Sequence, residues 1–254
     1  LRARSYTLKM AQQAAQSGKT SDALEHLKDH IVEVQENSAI VAAERWLSLP
    51  PAERERSSIF AAGRRLRSEI NAAVQTGLAA NGEIGPASAR LAVLTRVNAT
   101  REELRYARNY APGMVLEVAS RQSRHGLGRG SHEVAAVDTE KGVVTLRDAR
   151  GHSRRFVPAR LSAKGCDQTL QLFEKKDLDL YTGDAIRWTA SDHTRGMINA
   201  DQATVTAIDK DGVSVKSSSG MEHRLKPNDP MLKRIDLAYA LNAHMAQGLT
   251  ADKG

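Results

Sequence analysis

The chain is poor in cysteine and in aromatic residues, and it has no long apolar run. Its 254 residues include one cysteine, Cys166, which excludes an intramolecular disulfide framework and a zinc site built from cysteines. No apolar stretch approaches the length needed to cross a bilayer, and residues 1–10 lack the basic-then-apolar plan of a signal peptide. We therefore expect no membrane insertion and a cytoplasmic location. With aromatic residues at 4%, the cores must consist mostly of Ala, Val, Leu and Ile.

Sequence motifs typical of catalytic and nucleotide-binding sites are also missing. The sequence has no GxxxxGK[ST] phosphate loop, no HExxH zinc motif and no G-x-S-x-G elbow. His26 and His30 stand at i, i+4 without a nearby third ligand, which favours a surface pair over a metal site. The run Gly126–Gly130 lies between predicted strands rather than at a helix N-terminus, so we interpret it as a basic hairpin loop. Three arginines of this loop are candidates for contacts with DNA phosphates: Arg121, Arg124 and Arg129.

What the chain has is positive charge. Its formal net charge of +7 favours a polyanionic partner, because each neutralised phosphate releases counterions. Nucleic acid is the first candidate for that partner. An ordinary basic surface is the alternative that charge alone leaves open.

Composition changes near Pro112, which we take as a domain boundary. Helical spacing of apolar residues predicts helices over 4–17, from about Thr20 to Ile31, and from Ser38 to Leu47. The apolar stretch 57–62, followed by a glycine and helix-forming residues, predicts the strand, turn and helix of an α/β sheet. Thr100 and Glu103 form a capping-box pattern for a further helix that ends at Pro112.

The part after Pro112 contains an internal repeat. Residues 112–158 and 182–227 share one order of features: a strand led by glycine, a basic loop, a strand ending in an apolar residue and aspartate, a tight turn, and two more strands before a proline. Short strands at this spacing predict two small SH3-like barrels in tandem. We place them at 112–162 and 163–230, and a similarity common to all β-meanders is the alternative.

The segment 231–254 returns to a helical pattern and carries the first resemblance to a known family. Its stretch Ile235–Gly248 (IDLAYALNAHMAQG) resembles motif V of superfamily 1 helicases of the RecD-like branch. The residues that match are Tyr239, Ala240, His244, Gln247 and Gly248, and Asn242 stands where that family normally has threonine. The resemblance implies contacts with single-stranded DNA for Asn242, His244, Gln247 and Gly248.

Two upstream segments resemble the same branch. The stretch 57–71 is similar to the strand, turn and helix that open its second motor domain, with Arg67 and Asn71 at characteristic positions that imply DNA binding. Ala62-Gly63 replaces the usual Thr-Asn. The stretch 1–27 resembles the segment of motif IV, in which Arg2 matches the arginine that reaches ATP.

The order of these parts is similar to the C-terminal helicase of the F-type conjugative relaxase-helicases, over nearly the whole chain. The stretches on which this resemblance rests are 144–151, 182–196 and 235–248. The resemblance implies an α/β fold with a β insertion: a partial RecA-like motor domain, formed by 1–111 and 231–254, that carries the two SH3-like modules. The chain stops soon after motif V, which suggests a piece of something longer.

The same resemblance implies the function. The intact protein is expected to use ATP and Mg²⁺ to move along single-stranded DNA, and the β region to be a translocation signal recognised by the type IV secretion coupling protein. We expect no catalytic residue in this piece and no ATPase activity from it alone, because a motor of this kind needs two lobes. The alternatives are a non-enzymatic module that binds nucleic acid or protein, and a vestigial helicase domain.

Overall fold

The structure is a computed structural model, and it describes residues 6–120, 125–162 and 170–242. The first part is helical, as the apolar spacing predicts, with one short strand. Its elements are α1 (Tyr6–Gln16), α2 (Thr20–Leu27), α3 (Ser38–Leu47), α4 (Pro51–Arg54), β1 (Ile59–Phe60) and α5 (Arg64–Ala80). The strand, turn and helix predicted at 57–74 are confirmed by β1 and α5.

The helix predicted after Thr100 is wrong, although its capping box forms. The backbone N–H of Thr100 donates to Glu103 Oε2 at 2.7 Å, and the N–H of Glu103 donates to Thr100 Oγ1 at 3.2 Å. Tyr106 is extended, with φ −105° and ψ 122°, and it splits the segment into two 3₁₀ turns. The chain is held there by tertiary packing, since Leu104, Ala107 and Tyr110 are all buried in one apolar cluster.

The strands from Ser88 to Leu237 form two antiparallel sheets. The first, of six strands, has the order β2-β7-β3-β4-β5-β6, and the second, of five strands, has the order β11-β10-β9-β8-β12. The strands of the first sheet are β2 (Ser88–Arg96), β3 (Val115–Val118), β4 (Gly130–Asp138), β5 (Val143–Asp148), β6 (Ser153–Phe156) and β7 (Leu170–Tyr181). Those of the second are β8 (Ala185–Trp188), β9 (Gln202–Asp209), β10 (Gly212–Ser217), β11 (Glu222–Leu225) and β12 (Ile235–Leu237).

The internal repeat is confirmed strand by strand. The meander β3-β4-β5-β6 corresponds to β8-β9-β10-β11, and both carry a bulge at the same place. In the first, Ala135 is the extra residue between the pairs Val134↔Leu146 and Ala136↔Thr145. In the second, Thr206 is the extra residue between Val205↔Val215 and Ala207↔Ser214. A shared bulge supports a true repeat, because bulges occupy specific positions within related sheets.

The SH3-like barrels predicted for these modules are not confirmed. Among the described residues the two sheets stay open, and no barrel closes. The first sheet instead gains the long strand β7 and its partner β2, which pair along the whole of β2 from Ser88↔Tyr181 to Arg96↔Phe173. The sequence analysis missed both strands, so its boundary at 162/163 divides the elements of one sheet.

A third sheet has two strands, one from the helical first part and one from the end of the described chain. The strand β13 (Ala240–Leu241) pairs in parallel with β1, in the register Ile59↔Ala240 and Phe60↔Leu241. Each part of the fold has its own apolar cluster. The first lies under β3–β6, the second under β8–β12, and the third joins α3 and α5 to the segment 237–240. This third cluster places the predicted motif V segment directly against α5.

Candidate nucleic-acid interface

The carboxyl ends of β1 and β13 meet at one edge of the parallel pair. The backbone N–H of Ala61 donates to the carbonyl of Leu241 at 2.9 Å, so the two strands leave the sheet together. The chain then passes from β1 through Gly63 into α5, and from β13 to Asn242, which is partly exposed. Ligands of open α/β sheets bind outside the carboxyl ends of the strands. This edge is therefore the first place to look for a site.

The N-terminus of α5 at this edge is suited to an anion. Its N-cap is Gly63, no side chain caps it, and the first turn has no acidic residue. Arg64 and Arg65 occupy that turn instead, although cations are unfavourable next to the positive end of a helix dipole. Arg64 is held by hydrogen bonds to the carbonyl of Arg96 and to Asn98 Oδ1. Arg65 is paired with Glu69 at 2.8 Å, so the uncapped N–H groups and Arg64 are the groups of this turn suited to a phosphate.

Arg67, one turn further along α5, lies among other cations. Its side chain is partly buried, and within the described part of the chain it has no ion pair. Burial lowers the pKa of Arg67, and the nearby guanidinium groups of Arg187 and Arg64 lower it further. Asp236 opposes this effect, but its carboxylate is already paired with Arg187. Arg67 is thus a cation whose environment favours the approach of an anion.

Asn71 connects α5 to the motif V segment from inside the protein. Its amide Nδ2 donates to the carbonyl of Leu237 at 3.1 Å, and its Oδ1 accepts from the N–H of Ala240 at 2.6 Å. The residue is 3% exposed. Both ends of the amide are therefore used within the chain, and the geometry gives Asn71 a positioning role in place of the DNA contact that the resemblance implied.

A buried carboxylate supports the same segment from the other side. Asp184 is fully buried, and its oxygens accept from Tyr239 Oη at 2.6 Å, from the N–H of Tyr181 at 2.7 Å and from Gln75 Nε2 at 2.7 Å. Burial raises the pKa of Asp184, an effect that the three donors partly offset. Burial, together with the adjacent carboxylate, raises the pKa of Tyr239, which stays a neutral donor. Asp184 therefore ties α5, the second sheet and the motif V segment together.

The structure brings three of the predicted site residues together, namely Arg67, Asn71 and Asn242, around α5 and β13. Arg129 lies elsewhere, exposed in the loop before β4. Six others lie outside the described residues: Arg2, Arg121, Arg124, His244, Gln247 and Gly248.

Sequence reasoning missed Asp184 and Gln75, and it placed Arg187 on a charged surface of the β region without its partner Asp236. The available signal was an aspartate directly after a Gly turn and before the apolar strand β8, because a charge at such a place needs buried partners.

A cleft of about 370 Å³ lies at the opposite, amino edge of the parallel pair. Ser57 and Ser58 before β1 line it, together with Ala238 and Tyr239 before β13. None of the predicted site residues that the structure describes lines this cleft, so it is not part of the candidate interface. Within the described chain, no three or more His, Cys, Asp or Glu side chains form a group that could hold a metal ion. Among the same residues, no helix is long and apolar enough to span a membrane.

Comparison with known proteins agrees with the motifs. Residues 93–180 match the family of the DNA relaxase TraI 2B/2B-like domain. The multifunctional conjugation protein TraI of Escherichia coli K12 is 30% identical over 200 residues, which cover 78% of this chain and 11% of TraI. A second Escherichia coli TraI is 30% identical over 202 residues. Residues 93–180 thus match a TraI 2B/2B-like domain, and the chain is similar to a stretch that makes up about a tenth of the length of these TraI relatives.

Pif1 helicases of Bacteroides are among the solved structures to which this chain is similar. One, in complex with ADP-AlF3 and ssDNA, is 13% identical with a TM-score of 0.41, and the match covers 100% of this chain and 43% of that one. Another, unliganded, is 24% identical over 30% of this chain and 30% of that one, with a TM-score of 0.23. These TM-scores are too low to argue from.

Proposed function

We propose that this chain is a DNA-binding part of a conjugative helicase and relaxase, and that it holds the backbone of single-stranded DNA at the carboxyl edge of β1 and β13. One observation carries the proposal. The uncapped N-terminus of α5, without an acid in its first turn, stands beside the unneutralised Arg67 and next to the motif V segment. Phosphate groups satisfy both the free N–H groups and the guanidinium groups. Asn242 would approach the DNA from the end of β13.

The wider role follows from the family. We propose that the intact protein moves along DNA with ATP and Mg²⁺, in the cytoplasm, and that α5 with β1 and β13 belongs to a RecA-like lobe. The β region would be the translocation signal for the type IV secretion coupling protein, and its meanders would be SH3-like modules. Arg2, the residue of this chain predicted to reach ATP, lies outside the described residues. We expect no DNA-stimulated ATP hydrolysis from this chain by itself.

Fluorescence anisotropy with a labelled single-stranded oligonucleotide over a salt series tests the DNA-binding role. For single strands, the slope of log K against log salt is about −0.7 per phosphate contact. Arg67→Gln should therefore make this negative slope shallower by about 0.7 and lower the affinity at 0.1 M salt about fivefold. Arg45→Gln, an exposed charge loss on α3, is the control and should leave both unchanged.

The possible outcomes separate the candidate functions. Loss of affinity with Arg67→Gln and not with Arg45→Gln supports the interface at α5. Absence of binding even at low salt contradicts a DNA-binding role, and it favours the alternative of a non-enzymatic module that docks to protein. Strong DNA binding without any effect of Arg67→Gln would remove the site from α5.

A further inference from the structure

The two copies of the internal repeat differ in how their cations are neutralised. The ladders align Arg155 with Arg224 and Arg147 with Lys216, because Thr145↔Arg155 and Arg147↔Ser153 in the first meander correspond to Ser214↔Arg224 and Lys216↔Glu222 in the second. Equivalent positions in one fold have the same access to neighbours. A difference in ion pairing at these positions therefore comes from the residues that each copy places around them.

The second copy neutralises its cations internally. Arg224 is paired with Asp209, and Lys216 lies 4.0 Å from Glu222 on the neighbouring strand. Arg195, in the loop before β9, donates to Asp229 and, from its Nε at 2.7 Å, to Asp192. These aspartates hold the pKa of Arg195 well above its ordinary range.

Among the described residues, the first copy leaves the corresponding cations without ion pairs. Ser153 stands opposite Arg147, where the second copy has Glu222. Asp138, the equivalent of Asp209, is paired with Lys141, so Arg155 has no ion pair among the described residues.

The loop after the last strand carries the same reversal of charge. Two residues after the proline that follows the meander, the first copy has Arg160 where the second has Asp229. The loss of neutralisation therefore extends over separate positions of the copy.

Arg147 and Arg155 share one face of the β5–β6 hairpin. Thr145 is directly opposite Arg155, and Arg147 is two residues further along β5, so the two arginines are diagonal neighbours. Both are exposed. The nearest carboxylate in the row belongs to Glu133, opposite Arg147, and it is paired with Lys175 at 2.7 Å. Two guanidinium groups without their own counter-charge repel each other until an anion lies between them.

We propose that this arginine face, Arg147 and Arg155, is a second contact for the phosphate backbone of single-stranded DNA, and that the equivalent face of the second copy is not. The proposal rests on the DNA-binding role proposed above and names a site for it far from α5 in the sequence. The ligand has to be a repeating anion rather than a base, because the face offers cations and no exposed aromatic side chain for stacking. The first copy of the repeat thus presents a cationic face, and the second copy neutralises its cations with its own carboxylates.

A matched pair of double variants tests the proposal in the full chain. Arg147→Gln with Arg155→Gln removes two charges from the first copy, and Lys216→Gln with Arg224→Gln removes two from the same positions of the second. The first pair should make the negative salt slope for single-stranded DNA shallower by about 1.4 and lower the affinity at 0.1 M salt by roughly 25-fold. The second pair should change neither. Circular dichroism of each variant checks that the sheets are intact.

The outcomes distinguish this inference from the proposed function. If Arg67→Gln weakens binding but the Arg147 and Arg155 variant does not, the DNA-binding role stands and the arginine face is rejected. If both double variants weaken binding equally, the effect is one of net charge, and the distinction between the copies is wrong. If the parent chain binds no DNA, both proposals fall.

Discussion

The contact that joins α5 to the motif V segment should dominate the local stability of the interface. Replacement of Asn71 by Leu keeps the number and branching of the side-chain heavy atoms but removes the donor to Leu237 and the acceptor for Ala240. Each buried backbone group left without a partner costs about 1–3 kcal/mol, so the variant should lose about 2–6 kcal/mol. That is a large share of the 5–15 kcal/mol typical of a folded domain.

Two measurements test this expectation. Urea unfolding gives the change in free energy, and hydrogen exchange of the Ala240 amide reports whether the loss is local to β13. Asn81→Ala is the control, because Asn81 follows the same helix and its amide makes one exposed hydrogen bond, to Glu83 at 3.2 Å. Surface changes of this kind stay within about 0.5 kcal/mol. If Asn71→Leu costs no more than Asn81→Ala, the argument that Asn71 positions the motif V segment is refuted.

Two further predictions concern the support of the interface and the turns of the repeat. Tyr239→Phe removes a donor to the buried Asp184 carboxylate and should cost about 1.5–3 kcal/mol at pH 7. Because the pKa of Asp184 is raised, folding stability is lost as the pH rises through that pKa. The stability cost of Tyr239→Phe should therefore shrink as the pH falls toward about 4. Thermal unfolding at both pH values measures this change. Gly212→Ala should be severely destabilising, because its φ is +134° and a Cβ would overlap the carbonyl oxygen of Leu225. Gly142→Ala, in the turn of the first copy, has φ +63° and open space around it, so its melting temperature should fall much less; similar losses at both turns would contradict the steric argument.

The sequence predicted the elements that local patterns define. Apolar spacing placed α1, α3 and α5, and the turn glycines and aspartates placed the strands of both meanders. The repeat was readable because each copy keeps its own strand order and turn residues. These features depend on neighbours a few residues apart, which a single sequence displays directly.

The long strands β2 and β7 could not be predicted in the same way. The middle of β7 reads Glu-Lys-Lys-Asp, which is typical of a solvated loop. It is a strand because β2 pairs with it through residues 77 to 93 positions earlier. The helix after Thr100 failed for a related reason, since packing of Tyr110 and Leu104 on the first sheet overrides the local cap.

The site was only partly predictable. The resemblance selected Arg67, Asn71 and Asn242, and these do lie around α5 and β13. It could not tell that the amide of Asn71 faces inward, because a motif position does not report burial. The partners of Asp184 and Arg187 could not be predicted, since Tyr239 and Asp236 are distant from them in the sequence.

The strand β7 has a mechanical consequence. Its twelve residues extend for roughly 40 Å, and side chains along it enter the apolar clusters under both large sheets. Arg234 adds a clamp, since its guanidinium lies 4.7 Å from the ring centre of Phe173 on β7 and pairs with Glu117 on β3. We therefore expect a force on the first sheet to be transmitted along the backbone of β7, which leads to Asp184. We expect displacements of the β region to reach the segment that holds Asn242, because Asp184 is bonded both to Tyr181 at the end of β7 and to Tyr239 before β13.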